Sequence, residues 1–251
     1  MKLIAQTYVS PLLNQGTFAN VKIVVENSTR NFESYRAQRV KSLFNAEDGS
    51  SFKTEANIDI DDLDWGIGLI VGASGSGKTS IGKQFFGENK IHDLYSGWDC
   101  SKPIIDCILP DGDFNTATGA LAAVGLGDVP SWLRPFNALS NGQQFRAGLA
   151  RLVTEAPKEA VVDEFTSVVD RQIAKIGALA FAKNWRRNKG KKVVLLSCHY
   201  DIIEWLQPDW VYDVNTKVLK KKLKSGNGQT SSLKFGRSTE LTGNCLKSII
   251  I

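Results

Sequence analysis

The sequence predicts an α/β fold, a mainly parallel sheet flanked by helices, and three observations predict it. Short apolar runs at Ile67–Val71, Ala160–Val162 and Lys192–Ser197 read as strands buried on both faces. Stretches of helical length lie between them, from Lys78 to about Phe86, over Asn141–Thr154 and over Arg171–Asn188. Strand and helix alternate along the chain, as they do when crossover helices cover a parallel sheet.

In chain order, Val21–Glu26 (VKIVVE) reads as a strand, and Ala56–Ile60 follows with alternating apolar positions. Ile67–Val71 (IGLIV) is an apolar run stopped by Gly72, with a helix expected from Lys78. The region from Glu88 to Pro135 carries much of the Pro and Gly punctuation and reads as loops with short helices. The helix over Asn141–Thr154 places apolar or small residues at Phe145, Leu149, Leu152 and Val153. After the later strands come a short helix at Asp201–Trp205 and a strand near Trp210–Val214. From Ser225 the chain is rich in Gly, Ser, Thr and Lys and reads as a flexible basic tail, which divides the chain into residues 1–224 and 225–251.

Composition narrows the classes. With 251 residues, 42% of them apolar and 23% charged, the chain suits one globular domain with a tail. No stretch approaches the roughly 18 uninterrupted apolar residues of a membrane span, and the start lacks a secretory signal, so a cytoplasmic protein is expected. Cys100, Cys107, Cys198 and Cys245 are scattered without a C-x-x-C pair, which points to reduced, mostly buried thiols. Net charge is +5, but residues from Lys217 onward carry +7, which leaves −2 for the preceding 216. Nucleic-acid binding would therefore rest on the tail, through Lys220–Lys222, Lys224, Lys234 and Arg237; a solvated basic run is the alternative.

Two segments carry chemistry. Gly72-Ala73-Ser74-Gly75-Ser76-Gly77-Lys78-Thr79 fits G-x-x-x-x-G-K-[ST] and stands between an apolar strand and a predicted helix. The glycines let the backbone curl so that successive N–H groups, including that of Ser80 at the helix start, face phosphate oxygens. Lys78 adds a cation for the β- and γ-phosphates, and the Thr79 hydroxyl is placed to ligate magnesium, so the expected ligands are ATP and Mg2+. The strand Ala160–Val162 ends in Asp163 and Glu164. Asp163 is placed to hold the magnesium, and Glu164 to polarise the water that attacks the γ-phosphate.

Leu139-Ser140-Asn141-Gly142-Gln143 resembles the L-S-G-G-Q signature of the ABC ATPases and stands about 20 residues before the carboxylate strand. Ser167-Val168-Val169-Asp170 resembles the family's S-A-L-D loop, and His199 matches its switch histidine. The resemblance implies a P-loop NTPase with an N-terminal antiparallel β portion and a short helical insert over about 88–140. It also implies a homodimer formed on ATP, in which Ser140, Asn141, Gly142 and Gln143 of one copy cover the nucleotide on the loop of the other. His199 would contact the γ-phosphate, and Asp170 would work across the interface. Asn141 departs from the family's glycine, and its tolerance of unusual backbone angles is expected to preserve the turn. The family's glutamine loop has no match; Asp106 is the candidate for its role. Phe44 and Phe52 are candidates to stack on adenine, or core residues.

About sixty residues separate Ser80 from Leu139, fewer than the resembled transporter ATPases devote to their helical insert. A membrane partner is therefore the less favoured alternative, and an ATP-switched nucleic-acid binder is another. Trp205–Asp213 resembles the end of the ATPase in a group of soluble, phage-linked ABC ATPases, relatives of which carry an acetyltransferase-like domain. Here about 30 residues follow Leu223, too few for such a domain.

Overall fold

Strands apolar on both faces need neighbours on both edges and cover above and below, and the chain supplies both. The computed structural model describes residues 21–27, 34–45 and 52–222. Its elements are β1 (Val21–Asn27), α1 (Tyr35–Phe44), β2 (Phe52–Ile58), β3 (Ile67–Val71), α2 (Lys78–Phe86), β4 (Ile91–His92), α3 (Ile104–Cys107), α4 (Phe114–Ala123) and α5 (Val129–Trp132). These are followed by α6 (Asn141–Glu155), β5 (Glu159–Val162), α7 (Arg171–Trp185), β6 (Lys192–Ser197), α8 (Ile202–Leu206), β7 (Trp210–Asp213) and β8 (Val218–Lys221).

β1 and β2 form a two-stranded antiparallel sheet. The other six strands form one sheet in the order β4-β5-β6-β3-β7-β8, parallel except for β8, which runs antiparallel at the edge. The mainly parallel sheet flanked by helices read from the sequence is thus present. β6 lies between β3, which leads into the phosphate loop, and β5, which leads into the carboxylates.

The alternation of side chains along each strand builds the interior. Ile70, Val161, Val194, Leu196, Trp210 and Tyr212 point into one cluster with Ile81 and Phe85 of α2 and with Ala56 and Ile58 of β2. Trp65, Phe85, Phe86 and Trp210 interlock there, with ring centroids 5.0–6.3 Å apart. Gly68 is obligatory at its place, because a Cβ there would lie 2.1 Å from the Trp210 ring. A second aromatic chain, Phe145–Phe165–Phe181–Trp185, ties α6 and α7 to the sheet, and the Trp185 indole donates to the Gly66 carbonyl.

Several sequence expectations change in detail. α7 ends at Trp185 rather than Asn188, because Arg187 N and Asn188 N bond in turns to Asn184 and Trp185. The short edge strands β4 and β8 and the helix α1 carry too little apolar pattern to be read from the sequence. α1 has no buried residue, and Phe44 on it is 75% exposed, so it is not a core residue. The thiols are free but not buried: Cys100 is exposed, and Cys107 and Cys198 are half-buried. These three cysteines lie on loops or at the end of a short helix, where no packed layer covers them. Cys245, the Phe52 side chain and the tail from Ser225 lie outside the described residues. Among the described residues no helix is long and apolar enough to cross a membrane.

Candidate nucleotide site

The parallel register brings the chemical residues to one edge of the sheet. Val71, the last residue of β3, pairs with Ser197 at the end of β6 and with Asp213 at the end of β7. Val162 pairs with Leu195, so Asp163 and Glu164 emerge beside the end of β6, from which Cys198 and His199 continue. The phosphate loop, the carboxylates and His199 therefore share the carboxyl ends of adjacent parallel strands, the usual ligand-binding edge of open α/β sheets.

The loop Gly72–Thr79 curls through Gly75 at φ 77° and Gly77 at φ 92°, left-handed conformations that favour glycine. Gly77 is the N-cap of α2 and supplies no side-chain cap, which leaves the first N–H groups of the helix open to an anion. The Lys78 ammonium donates to the carbonyls of Gly72 (2.9 Å) and Ala73 (2.7 Å), folded over its own loop. Two observations fit the loop to a phosphate ligand. The Ser76 hydroxyl is buried with no partner among the described residues. A Cβ on Gly72 would lie 2.8 Å from that hydroxyl and 3.2 Å from Val214 Cβ, so a side chain there would crowd the cradle. Thr79 stands exposed in the first turn of α2.

Asp163 Oδ1 accepts the Glu164 N–H (2.9 Å), and Glu164 takes φ 49°, a left-handed conformation uncommon for a residue with a side chain. The turn is anchored next to it, where Phe165 N donates to Leu196 O (2.9 Å) and the Ser197 hydroxyl donates to Phe165 O (2.9 Å). The same hydroxyl accepts the His199 N–H (3.1 Å), so a single serine sets both the carboxylate turn and the histidine. Burial holds the His199 imidazole below its ordinary range, and the nearby Arg171 guanidinium adds to this while Asp201 opposes it. Arg171 pairs with the Asp201 carboxylate through two nitrogens and lies over the Trp205 ring at 5.0 Å. No cluster of three or more metal-ligating side chains exists among the described residues. A magnesium ion here would thus take Thr79 and Asp163 as its few protein ligands, with phosphate and water completing its shell.

Ser140 caps α6 and closes a capping box: its hydroxyl accepts the Gln143 N–H (3.3 Å), and Gln143 Oε1 accepts the Ser140 N–H (3.0 Å). Asn141 is the first helical residue and has no positive φ, so the unusual backbone angle expected of it is not required. The first helical turn takes any residue at that place, which is why asparagine fits. Gly142 is buried against α7, where a Cβ would lie 2.5 Å from Ile173 Cδ1. Asp170 caps α7 through the N–H groups of Gln172 and Ile173 (both 3.0 Å).

Three features escape sequence reading. Asn215 accepts the Ala73 N–H (3.4 Å) and donates to the Tyr200 hydroxyl (3.3 Å), which links the phosphate loop to the residue after His199. The Ser197 hydroxyl is the second. The third is Tyr95, whose electrostatic surroundings include Glu164; Asp106, on α3, has its N–H bonded to Pro103 O.

Solved structures share this fold. A dimeric post-hydrolysis state of the ATP-binding cassette MJ0796 bound to ADP and Pi aligns with TM-score 0.55 at 15% identity, covering 79% of this chain and 98% of that one. The chain has the ATP-binding-cassette fold. A second dimeric MJ0796 structure, titled a bacterial ABC transporter cassette, aligns with TM-score 0.52 at 15% identity over 79% of this chain and 98% of that one. An inward-facing putative metal-chelate type ABC transporter aligns equally, at TM-score 0.52 and 17% identity over 80% and 82% of the two chains. In sequence, methionine import ATP-binding protein MetN 2 of Acinetobacter baylyi is 38% identical over 66 residues, 26% of this chain and 19% of that protein's length. No protein-family model matches the chain.

Proposed function

We propose that the chain binds Mg-ATP on Gly72–Thr79 and hydrolyses it in an ATP-dependent head-to-tail homodimer. The observation that carries this is the convergence of the phosphate loop, Asp163–Glu164 and His199 on one edge of the sheet. Lys78 leaves the Gly72 and Ala73 carbonyls for the β- and γ-phosphates, and the open N–H groups of α2 and the Ser76 hydroxyl take the remaining phosphate oxygens. Thr79 and Asp163 would hold a magnesium ion, which would supply positive charge to those oxygens. Glu164 orients and deprotonates the attacking water, while His199, neutral at pH 7, is free to accept or donate at the γ-phosphate.

The exposed Ser140 and Asn141 at the start of α6 support the dimer, because a helix N-terminus offered to solvent can meet the γ-phosphate held by a second copy. Asp170 lies at the corresponding start of α7 and serves that interface through its capped backbone turn. Light scattering of Glu164→Gln is expected to show a dimer with Mg-ATP and a monomer without it. A persistent monomer at high concentration would sink the shared-site reading. Lys78→Ala is expected to abolish ATPase activity, and unchanged activity would overturn the site.

A second reading, the energising subunit of a membrane transporter, draws support from the transporter cassette and the transporter among the structural relatives. The short insert between Ser80 and Leu139 weakens that reading, and the likeness of Trp205–Asp213 to the end of phage-linked ABC ATPases favours a soluble ATPase of that kind instead. ATPase activity that appears only with a co-purified membrane protein would decide for the transporter. Nucleic-acid binding through the basic tail is tested separately, by removing residues 225–251 and following binding against salt.

A further inference from the structure

Four hydrogen bonds, a stacked guanidinium and one close helix approach hold the segment that follows β4. Asp93 Oδ1 accepts the Tyr95 N–H (2.9 Å), and the Trp98 indole donates to the Leu94 carbonyl (3.0 Å). Arg151 of α6 donates to the carbonyls of Ser96 (2.6 Å) and Gly97 (3.1 Å) and stacks over the Trp98 ring at 4.1 Å. Gly148 of the same helix lies so close that a Cβ would meet the Leu94 carbonyl oxygen at 2.7 Å. The Tyr95 backbone is thereby fixed, yet its hydroxyl is buried with no partner among the described residues.

An orphaned buried hydroxyl is unfavourable, and native proteins hold few of them without a reason. Its place supplies one. β4 pairs with β5 in parallel, His92 beside Val162, so Tyr95 and Glu164 leave adjacent strands at the same edge three and two residues further on. Burial pushes the Tyr95 phenol well above its usual range, and the charges of Asp93 and Glu164 push it further. The phenol therefore stays protonated, a hydrogen-bond donor at any working pH.

We propose that Tyr95 is a positioning residue of the hydrolytic site, its buried hydroxyl held ready to donate to the Glu164 carboxylate when nucleotide closes the site. The bond fixes which carboxylate oxygen faces the attacking water. This rests on the reading of Glu164 as the general base. Tyr95 touches neither phosphate nor metal and acts through Glu164 alone.

Tyr95→Phe keeps the ring and removes the hydroxyl. The expected result is a kcat about tenfold lower, the scale of one hydrogen bond to a charged group, with KM for ATP within about twofold of wild type. Removing an unsatisfied buried hydroxyl should leave the melting temperature equal or higher, so activity and stability move apart. In a Glu164→Gln background the same substitution should change the residual rate by less than about twofold, since the two act as one unit. A wild-type kcat for Tyr95→Phe overturns the proposal. So does a rate loss that tracks a lower melting temperature, or one that persists in full without the Glu164 carboxylate. The failures are distinguishable: absence of ATPase activity in the wild type removes the hydrolytic reading itself, whereas a fully active Tyr95→Phe removes only the role of Tyr95.

Discussion

Gly148→Ala tests whether α6 and the segment after β4 touch as described. A Cβ at position 148 would stand 2.7 Å from Leu94 O and 2.8 Å from Leu94 Cβ, and ordinary contact begins at 3.4 Å. Something must therefore move by about 0.7 Å, and the obstacle is backbone, which has no rotamer to escape into. Overpacking of this kind costs about 1–3 kcal/mol. Alanine recovers roughly 1 kcal/mol over glycine inside a helix. The net expectation is about 1 kcal/mol of destabilisation, a fall in melting temperature of roughly 2–4 °C for a chain of this size. The displaced segment carries Tyr95, so kcat should fall as well, by about tenfold, because misplacements near 1 Å reach that scale. Gly119→Ala on α4 is the matched control: nothing lies within 4 Å of its Cβ position, and helix propensity alone should raise stability by about 0.5–1 kcal/mol. The assays are thermal melting and steady-state ATPase rate on the three proteins. If Gly148→Ala stabilises as much as Gly119→Ala and keeps its kcat, α6 does not pack on Leu94 and the reasoning fails.

Two further outcomes are expected. Gly75→Ala meets nothing within 4 Å but must hold φ 77°, so its cost of roughly 1–2 kcal/mol is purely conformational and should weaken Mg-ATP binding by about fivefold to thirtyfold in calorimetric titration; unchanged affinity would mean the loop does not need that angle. Burial first, then Arg151 and Lys90, holds half-buried His92 below its ordinary 6.5, and His199 is lowered too. The folded chain then binds fewer protons than the unfolded one below pH 6.5, so stability should fall as pH drops through that value and level off once the folded imidazoles charge. Melting temperatures between pH 7.5 and 5.5 check the sign; a rise on acidification would refute it, and His92→Gln should remove part of the slope.

Features written in contiguous residues are legible in the sequence alone. The loop Gly72–Thr79 is one of these, since its spacing alone dictates a curled backbone ahead of a helix. The run Ala160–Val162 with Asp163 and Glu164 is another, because an apolar strand must deliver its polar end to a sheet edge. The helix expected over Asn141–Thr154 is there as α6, and a capping box of Ser140 with Gln143 closes its start. Other features had no local signature. β4 has two residues and β8 reads as a lysine-rich segment, so only pairing with β5 and β7 makes them strands.

The sequence by itself therefore determined the architecture and placed the glycine loop and the acidic strand end within it, because both follow from short-range patterns of apolar spacing, glycine and charge. Tertiary structure alone decided which side chains share the site. The insertion of β6 between β3 and β5 sets Ser197 to hold both Phe165 and His199. The parallel pairing of β4 with β5 brings Tyr95 and Glu164, 69 positions apart in sequence, off adjacent strands at the same edge. Such neighbours are products of strand order and register, and strand order is settled by the whole core packing at once rather than by any one segment.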